Sequence, residues 1–321
     1  MKSKNIAGSA SSARVSSQVW PIELPKHRHA QRGVTLIELM VGITIGLLTI
    51  AVAMGALMVS RGISGTISDA SGIQQQAAYA MRVIGLQLRQ AGSLRLNLDP
   101  GTATTAEPYL TPVAFEAAVS TDTHPALDSF DPAKATLSGT ASPASLTLGY
   151  RRYTEPTFAS ATEQAFSRNC LGGPADTSTH QRLQSAFWLS SKNELRCAGN
   201  QNISAPPLDT EGQPILQNVA NFQVRYLLQD TTTTPGTSTI KSTDAAGVTN
   251  WAQVQAVEVC LVLYGNESIG MPTDGTATYT DCDGVTKVDM ATVTGERNKR
   301  LHVPFRNIFQ LRSQGLVGSV L

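Results

Sequence analysis

Cys170, Cys197, Cys260 and Cys282 are the only thiols in a chain of 321 residues. Cysteines so placed either crosslink or hold a metal. No two have the close spacing of a zinc site, so disulfides are favoured over a four-thiolate centre. Four cysteines permit three complete pairings, which the sequence leaves open. Cys170–Cys197 and Cys260–Cys282 are the preferred pairs because they keep the loops local, at separations of 27 and 22 residues. Each such crosslink restricts the unfolded chain by roughly 3 kcal/mol in the loop-entropy picture. The five histidines, His27, His29, His124, His180 and His302, are scattered. There is no HExxH pair, glycine-rich phosphate loop or nucleophile elbow. Ser185 with a distant histidine and aspartate makes a triad only on paper. Asp281-Cys282-Asp283-Gly284 lacks the full acidic spacing of a calcium loop and reads as a solvated turn. The expectation is a non-enzyme with no catalytic residues, no metal and no cofactor.

Glu38 is the remaining chemical oddity. It is the one ionisable side chain in an apolar run from Val34 to Val59, VTLIELMVGITIGLLTIAVAMGALMV. Those 26 residues make about 39 Å of helix, enough to cross a bilayer. A secretory signal has a shorter apolar core. A simple anchor would gain nothing from a carboxylate in the hydrocarbon region, where it is costly unless partnered. Lys26, Arg28 and Arg32 precede the run and Arg61 follows it, which places the N-terminus in the cytoplasm and the C-terminal region outside the inner membrane.

The junction Gln31-Arg32-Gly33-Val34-Thr35-Leu36-Ile37-Glu38-Leu39 resembles the cleavage and methylation motif of type IV prepilins and type II secretion pseudopilins. The resemblance implies that a membrane prepilin peptidase cuts after Gly33. Val34 then becomes the N-methylated first residue of a 288-residue mature chain. It also implies that Glu38 serves filament assembly, pairing with the amino terminus of a neighbouring subunit so that two charges are satisfied at low dielectric. Val34 stands where many members have Phe. The leader is long for the family, which points to a start further along the chain.

The net charge of +1 averages two unlike parts. Residues 1–33 carry Lys2, Lys4, Arg14, Lys26, Arg28 and Arg32 against Glu23, a net of +5; removing five from the whole leaves −4 for residues 34–321. No basic field remains there for nucleic acid, so no direct nucleic-acid binding is expected. The charged fraction is 15% and the aromatic fraction 6%, with Thr, Ser, Ala and Gly abundant, which favours a β-rich domain with polar loops.

Beyond the apolar run, Ile63, Ile67, Ile73, Ala77, Ala80, Met81, Ile84, Leu88 and Ala91 recur at three- and four-residue spacings. This is an amphipathic helix whose stripe packs on a head. Gln74, Gln75, Gln76, Arg82, Gln87 and Arg89 read as its solvated face. Gly62, Gly65 and Gly72 invite bending or local melting, and Gly92 ends the run. Residues 101–145 read as loops with short strands. Leu146–Tyr153, Gln184–Leu189 with Glu194–Cys197, Val219–Leu228, Val257–Tyr264 and Val303–Leu311 read as strands, with a flexible connection over 231–236. Within Val219–Leu228, Ala220, Phe222, Val224, Tyr226 and Leu228 form the expected inner face.

The expected fold class is therefore α+β and type IV pilin-like: a long N-terminal transmembrane and amphipathic helix with an antiparallel β-sheet head. The divisions are a cleaved leader over 1–33, a transmembrane half-helix over 34–60, an amphipathic half over 61–98 and a head over 99–321. Asn193-Glu194-Leu195-Arg196-Cys197, the Leu216–Tyr226 segment, the Val257 strand and the Phe305–Arg312 region resemble the PilW group of pilus assembly proteins. That resemblance implies a minor pilin supporting pilus assembly, and through it motility, adhesion or DNA uptake. Its implied partners are prepilin peptidase, other minor pilins, the major pilin, the inner-membrane assembly platform and, before assembly, the lipid bilayer. Its implied location is the inner membrane, single-pass, then the filament near its tip. A minor pseudopilin of a type II secretion system is the nearest alternative. A tip adhesin is another, and exposure of Trp188 and Trp251 together would favour it.

Overall fold

In the computed structural model, residues 33–92, 94–96, 113–115, 129–158, 160–178, 182–200, 204, 207–230 and 239–311 are described. The leader before Gly33, most of residues 93–128 and the 231–236 connection lie outside them. The chain divides into two compact units, Met1–Leu57 and Met58–Leu321.

The first element, α1, is one helix, Leu36–Gln90. It runs through Gly62, Gly65 and Gly72 without a break, so the local melting those glycines invite does not occur. The intrahelical ladder continues past each, and the Thr66 hydroxyl donates to the Gly62 carbonyl (3.0 Å). In the first unit the apolar side chains of α1 are exposed all round. From Ile73 onward the periodic stripe is buried: Ile73, Ala77, Ala80, Ile84 and Leu88 recur every three or four residues. The helix ends where expected. The Ala91 N–H bonds the Leu88 carbonyl, and Gly92 takes a φ of +80°, a conformation that favours glycine. The Gly92 N–H then donates to the Gly149 carbonyl (3.0 Å), which joins the helix end to the sheet.

The strands follow in chain order. First come β1 (Leu94–Leu96), β2 (Val113–Phe115), the one-turn α2 (Pro132–Ala135), β3 (Leu137–Ala141) and β4 (Ala144–Arg151). Next are β5 (Glu155–Thr157), β6 (Ser160–Gln164), β7 (Arg182–Leu189), β8 (Leu195–Gly199), β9 (Gln213–Leu216) and β10 (Val219–Asp230). The last are β11 (Thr239–Thr243), β12 (Val254–Ser268), β13 (Thr278–Thr280), β14 (Lys287–Asp289) and β15 (Arg300–Gln310). Two antiparallel sheets carry the head, one ordered β3-β4-β7-β8-β9 and the other β11-β10-β12-β15. β1–β2, β5–β6 and β13–β14 are separate two-stranded ribbons. β4 covers Ala144–Arg151, two residues earlier than the Leu146–Tyr153 expectation, because the hairpin with β3 begins at Ala141↔Ala144.

The apolar stripe of α1 and the inner faces of both sheets form one core. β10 contributes Phe222, Val224, Tyr226 and Leu228 as its alternation requires. Its first two residues differ from expectation: Val219 is buried and Ala220 is only half-buried. A register shift between Val219 and Asn221 against β12 reverses the facing there. β12 is buried on both faces from Val259 to Gly265, so it reads as a continuous apolar run and not as an alternating one. Gly139 of β3 lies close against β10, since an added Cβ would meet the Tyr226 hydroxyl. Burial raises the pKa of that phenol.

Candidate functional site

The start of α1 is built by Thr35. Its side-chain oxygen accepts the Glu38 N–H (3.3 Å), and its carbonyl accepts the Leu39 N–H (3.1 Å). Thr35 is thus the N-cap and Glu38 the third helical residue, the spacing of a capping box. Glu38 also lies in the first turn, where the helix dipole favours an anion. Gly33 and Val34 precede the helix without regular structure, and Val34 is 68% exposed. Gly33, Val34 and Glu38 therefore share one solvent-accessible helix entrance. The capping role of Thr35 was missed, although Thr35-x-x-Glu38 before an apolar run is its sequence signal.

In the head, Cys170 is bonded to Cys197 and Cys260 to Cys282. The first bridge ties the segment between β6 and β7 to β8. Next to it lies a polar relay. The Gln87 amide donates to the Arg168 carbonyl (3.1 Å), the Ser185 hydroxyl donates to Gln87 Oε1 (2.8 Å), and the Cys170 N–H donates to Ser185 Oγ (3.0 Å). Gln87 was expected on the solvated face; it is 8% exposed. Periodicity misplaces it because a glutamine inside a stripe is indistinguishable from one beside it until its partners are known. The Ser185 hydroxyl donates to an amide and not to a histidine. Arg152 organises the same segment: its guanidinium donates to the carbonyls of Ala165 (3.2 Å), Ala175 (2.8 Å) and Asp176 (3.1 Å).

The second bridge joins β12 to the turn after β13 and packs with Val262 and Tyr279 in a small separate cluster. His302 lies flat on the Tyr279 ring (4.9 Å, 3° between planes) and tilted to Tyr264. Its Nδ1 is 2.8 Å from the Arg300 carbonyl, so Nδ1 carries the proton and donates. Burial lowers the His302 pKa below 6.5. Asp281 accepts from the Asn221 amide (2.8 Å) and the Cys282 N–H (2.7 Å). Asp283 accepts the N–H groups of Val285 (2.9 Å) and Thr286 (2.8 Å), and the Thr286 hydroxyl holds its carboxyl below the usual range. These acids cap a turn, as the sequence suggested. Among the described residues no group of three or more His, Cys, Asp or Glu is placed to hold a metal ion.

Trp188 and Trp251 do not form an exposed pair. Trp188 is 2% exposed between Ala186 and Ala198, and Trp251 packs edge-on to Tyr226 (4.9 Å) against the main core.

Taken together, a long apolar N-terminal helix and an antiparallel β-sheet head make an α+β architecture. A family model described as Type IV Pilus-assembly protein W matches residues 183–313, and one described as Prokaryotic N-terminal methylation motif matches residues 28–54. Among solved structures, the type IV-like pilin TTHA1219 from Thermus thermophilus is similar at 15% identity. That match covers 56% of this chain and 84% of that chain, with a TM-score of 0.29. No curated protein matches the chain. The pilus-assembly match supports a type IV pilus-associated structural or assembly role for this chain.

Proposed function

We propose that this chain is a minor pilin: a precursor anchored in the inner membrane, cut after Gly33, methylated at Val34 and then incorporated as a low-abundance subunit that supports assembly of a type IV pilus. The observation that carries the reading is the continuity of α1. It begins within a methylation-motif match and supplies, further along the same helix, the buried stripe of the head. One apolar window of α1 is long enough to cross a membrane by length and composition. Its exposed apolar side chains need a covering of lipid before assembly and of neighbouring helices afterwards.

Cleavage would free an amino group one residue before the Thr35 cap. A cation there opposes the positive end of the helix dipole. Glu38 offsets that locally, and across subunits it offers the carboxylate with which a neighbour's amino terminus pairs. Loss of the leader also removes its net charge of +5, which is costly to bury among packed helices.

The test is intact-mass analysis and N-terminal peptide sequencing of the membrane-extracted chain, with and without prepilin peptidase. A peptidase-dependent chain beginning at N-methylated Val34 is the expected result. An uncleaved chain in the presence of active peptidase overturns the filament-precursor reading.

A further inference from the structure

From Arg306 to Gln310 the outer edge of β15 is unpaired among the described residues. Its inner edge pairs with β12 in unbroken register from Tyr264↔His302 to Ala256↔Gln310. The His302 N–H points away from β12, donating to Met290 Sδ (3.3 Å), whereas the Leu311 N–H points inward to the Gln255 carbonyl (2.9 Å). Alternation along the strand therefore turns the N–H and C=O groups of Arg306, Ile308 and Gln310 outward. Pro304 falls in the same outward set, where its missing N–H breaks no ladder bond. No described residue pairs with the outward groups from Arg306 to Gln310, and β15 ends the sheet. The other end of the sheet is guarded differently: β11 is only five residues long and carries Lys241.

Beside the open part of β15 lies a cleft of about 450 Å³ lined by Arg89, Ile308, Phe309, Gln310 and Leu311. Ile308 is 57% exposed. Arg89 has no ion pair among the described residues. Arg306 is already engaged by Glu258 and by the Asp281 and Cys282 carbonyls, so the uncompensated cation of the cleft is Arg89.

We propose that the outer edge of β15 from Arg306 to Gln310 accepts an extended strand of another polypeptide, with a carboxylate of that strand beside Arg89. Backbone pairing supplies the binding, Ile308 gives the strand apolar cover, and Arg89 selects for an acid. A second copy of this chain fits poorly: Arg300–Gln310 contains no Asp or Glu, so two-fold pairing about Ile308 would bring no carboxylate of the copy's strand beside Arg89.

The test uses the full chain in its native membranes, carrying Ile308→p-benzoylphenylalanine as a photo-crosslinker, with adducts mapped by mass spectrometry. The expected adduct lies in a strand of a different chain with Asp or Glu within two residues. Its yield should fall roughly tenfold with Gln310→Pro, which removes an outward N–H and fixes the φ of that residue, and with Arg89→Glu, while Gln310→Ala changes little. Unchanged melting temperatures certify the folds, and Arg89→Glu on the exposed helix face carries the test if the proline variant unfolds. Adducts only within the same chain, including residues 312–321, only to a second copy or only to lipid overturn the proposal. So does a yield indifferent to Gln310→Pro and Arg89→Glu. Processing at Gly33, read in the same samples, reports separately on the filament-precursor reading.

Discussion

Gly85 and Phe309 meet where α1 lies against β15: a Cβ added at Gly85 would sit 2.5 Å from Phe309 Cε1. The helix therefore reaches the sheet because this position has no side chain. Gly85→Ala must displace a buried ring, and the expected loss is about 1–3 kcal/mol. Thermal melting of the detergent-extracted chain checks this. A melting temperature equal to that of the parent would show that Phe309 swings aside freely.

Gln87 and Ser185 form the second joint between helix and head. Gln87→Ala leaves the Ser185 hydroxyl and the Arg168 carbonyl without their partner, at an expected cost of about 1–3 kcal/mol. Ser185→Ala removes part of the same relay, so the double variant should lose less than the sum of the singles, with coupling above about 0.5 kcal/mol. Strict additivity in denaturant titrations would dissolve the relay into independent contacts.

At the helix entrance, capping and assembly can be separated. Thr35→Ala should cost the first turn about 1 kcal/mol and show as faster amide exchange at Leu36–Leu39. Glu38→Gln keeps a residue suited to the capping box but removes the charge. Its expected phenotype is a normal helix start with reduced recovery in sheared filaments. Parental recovery of Glu38→Gln in filaments would eliminate charge pairing as the role of Glu38.

His302 should make the head sensitive to acid. Burial depresses its folded-state pKa below 6.5; Arg297 acts in the same direction, whereas the Arg300 carbonyl and Asp281 oppose it. The unfolded chain therefore takes up the proton first as pH falls. The stability contributed by the neutral ring is complete above the unfolded value of 6.5 and declines below it, down to the folded pKa. Melting temperatures between about pH 8 and about pH 5 should fall more steeply for the parent than for His302→Phe, which keeps a ring against Tyr279 but cannot titrate. Parallel curves would rule out titration of His302 as the cause.

The two disulfides offer a graded check on the head. Cys260→Ser with Cys282→Ser, and separately Cys170→Ser with Cys197→Ser, should each lower stability by roughly 2–4 kcal/mol from the loops they close. Equilibrium unfolding of each paired variant measures it. A bridge whose removal leaves the midpoint unchanged does not restrain the unfolded chain.

Several elements were legible from local pattern alone. The Ile73-to-Leu88 stripe, the stop at Gly92, the β7–β8 hairpin and the inner face of β10 from Phe222 onward each follow from a period of 3.6 or 2 or from a turn residue, and tertiary contacts reinforce them. The capping box was equally present in Thr35 and Glu38, overshadowed by the more distinctive chemistry of a carboxylate in an apolar run.

What the chain alone determined was the helix, its apolar segment, the strand alphabet of the head and the absence of any recognised catalytic motif, because these depend on residues near one another in sequence. What only the tertiary structure decided was how distant segments meet: two sheets sharing one core with α1, Gln87 turned inward to Ser185, Trp188 and Trp251 packed away in different clusters, and the outer edge of β15 left unpaired among the described residues. Burial of a polar side chain and vacancy of a strand edge are properties of the neighbours, and periodicity along one strand or helix carries no information about them.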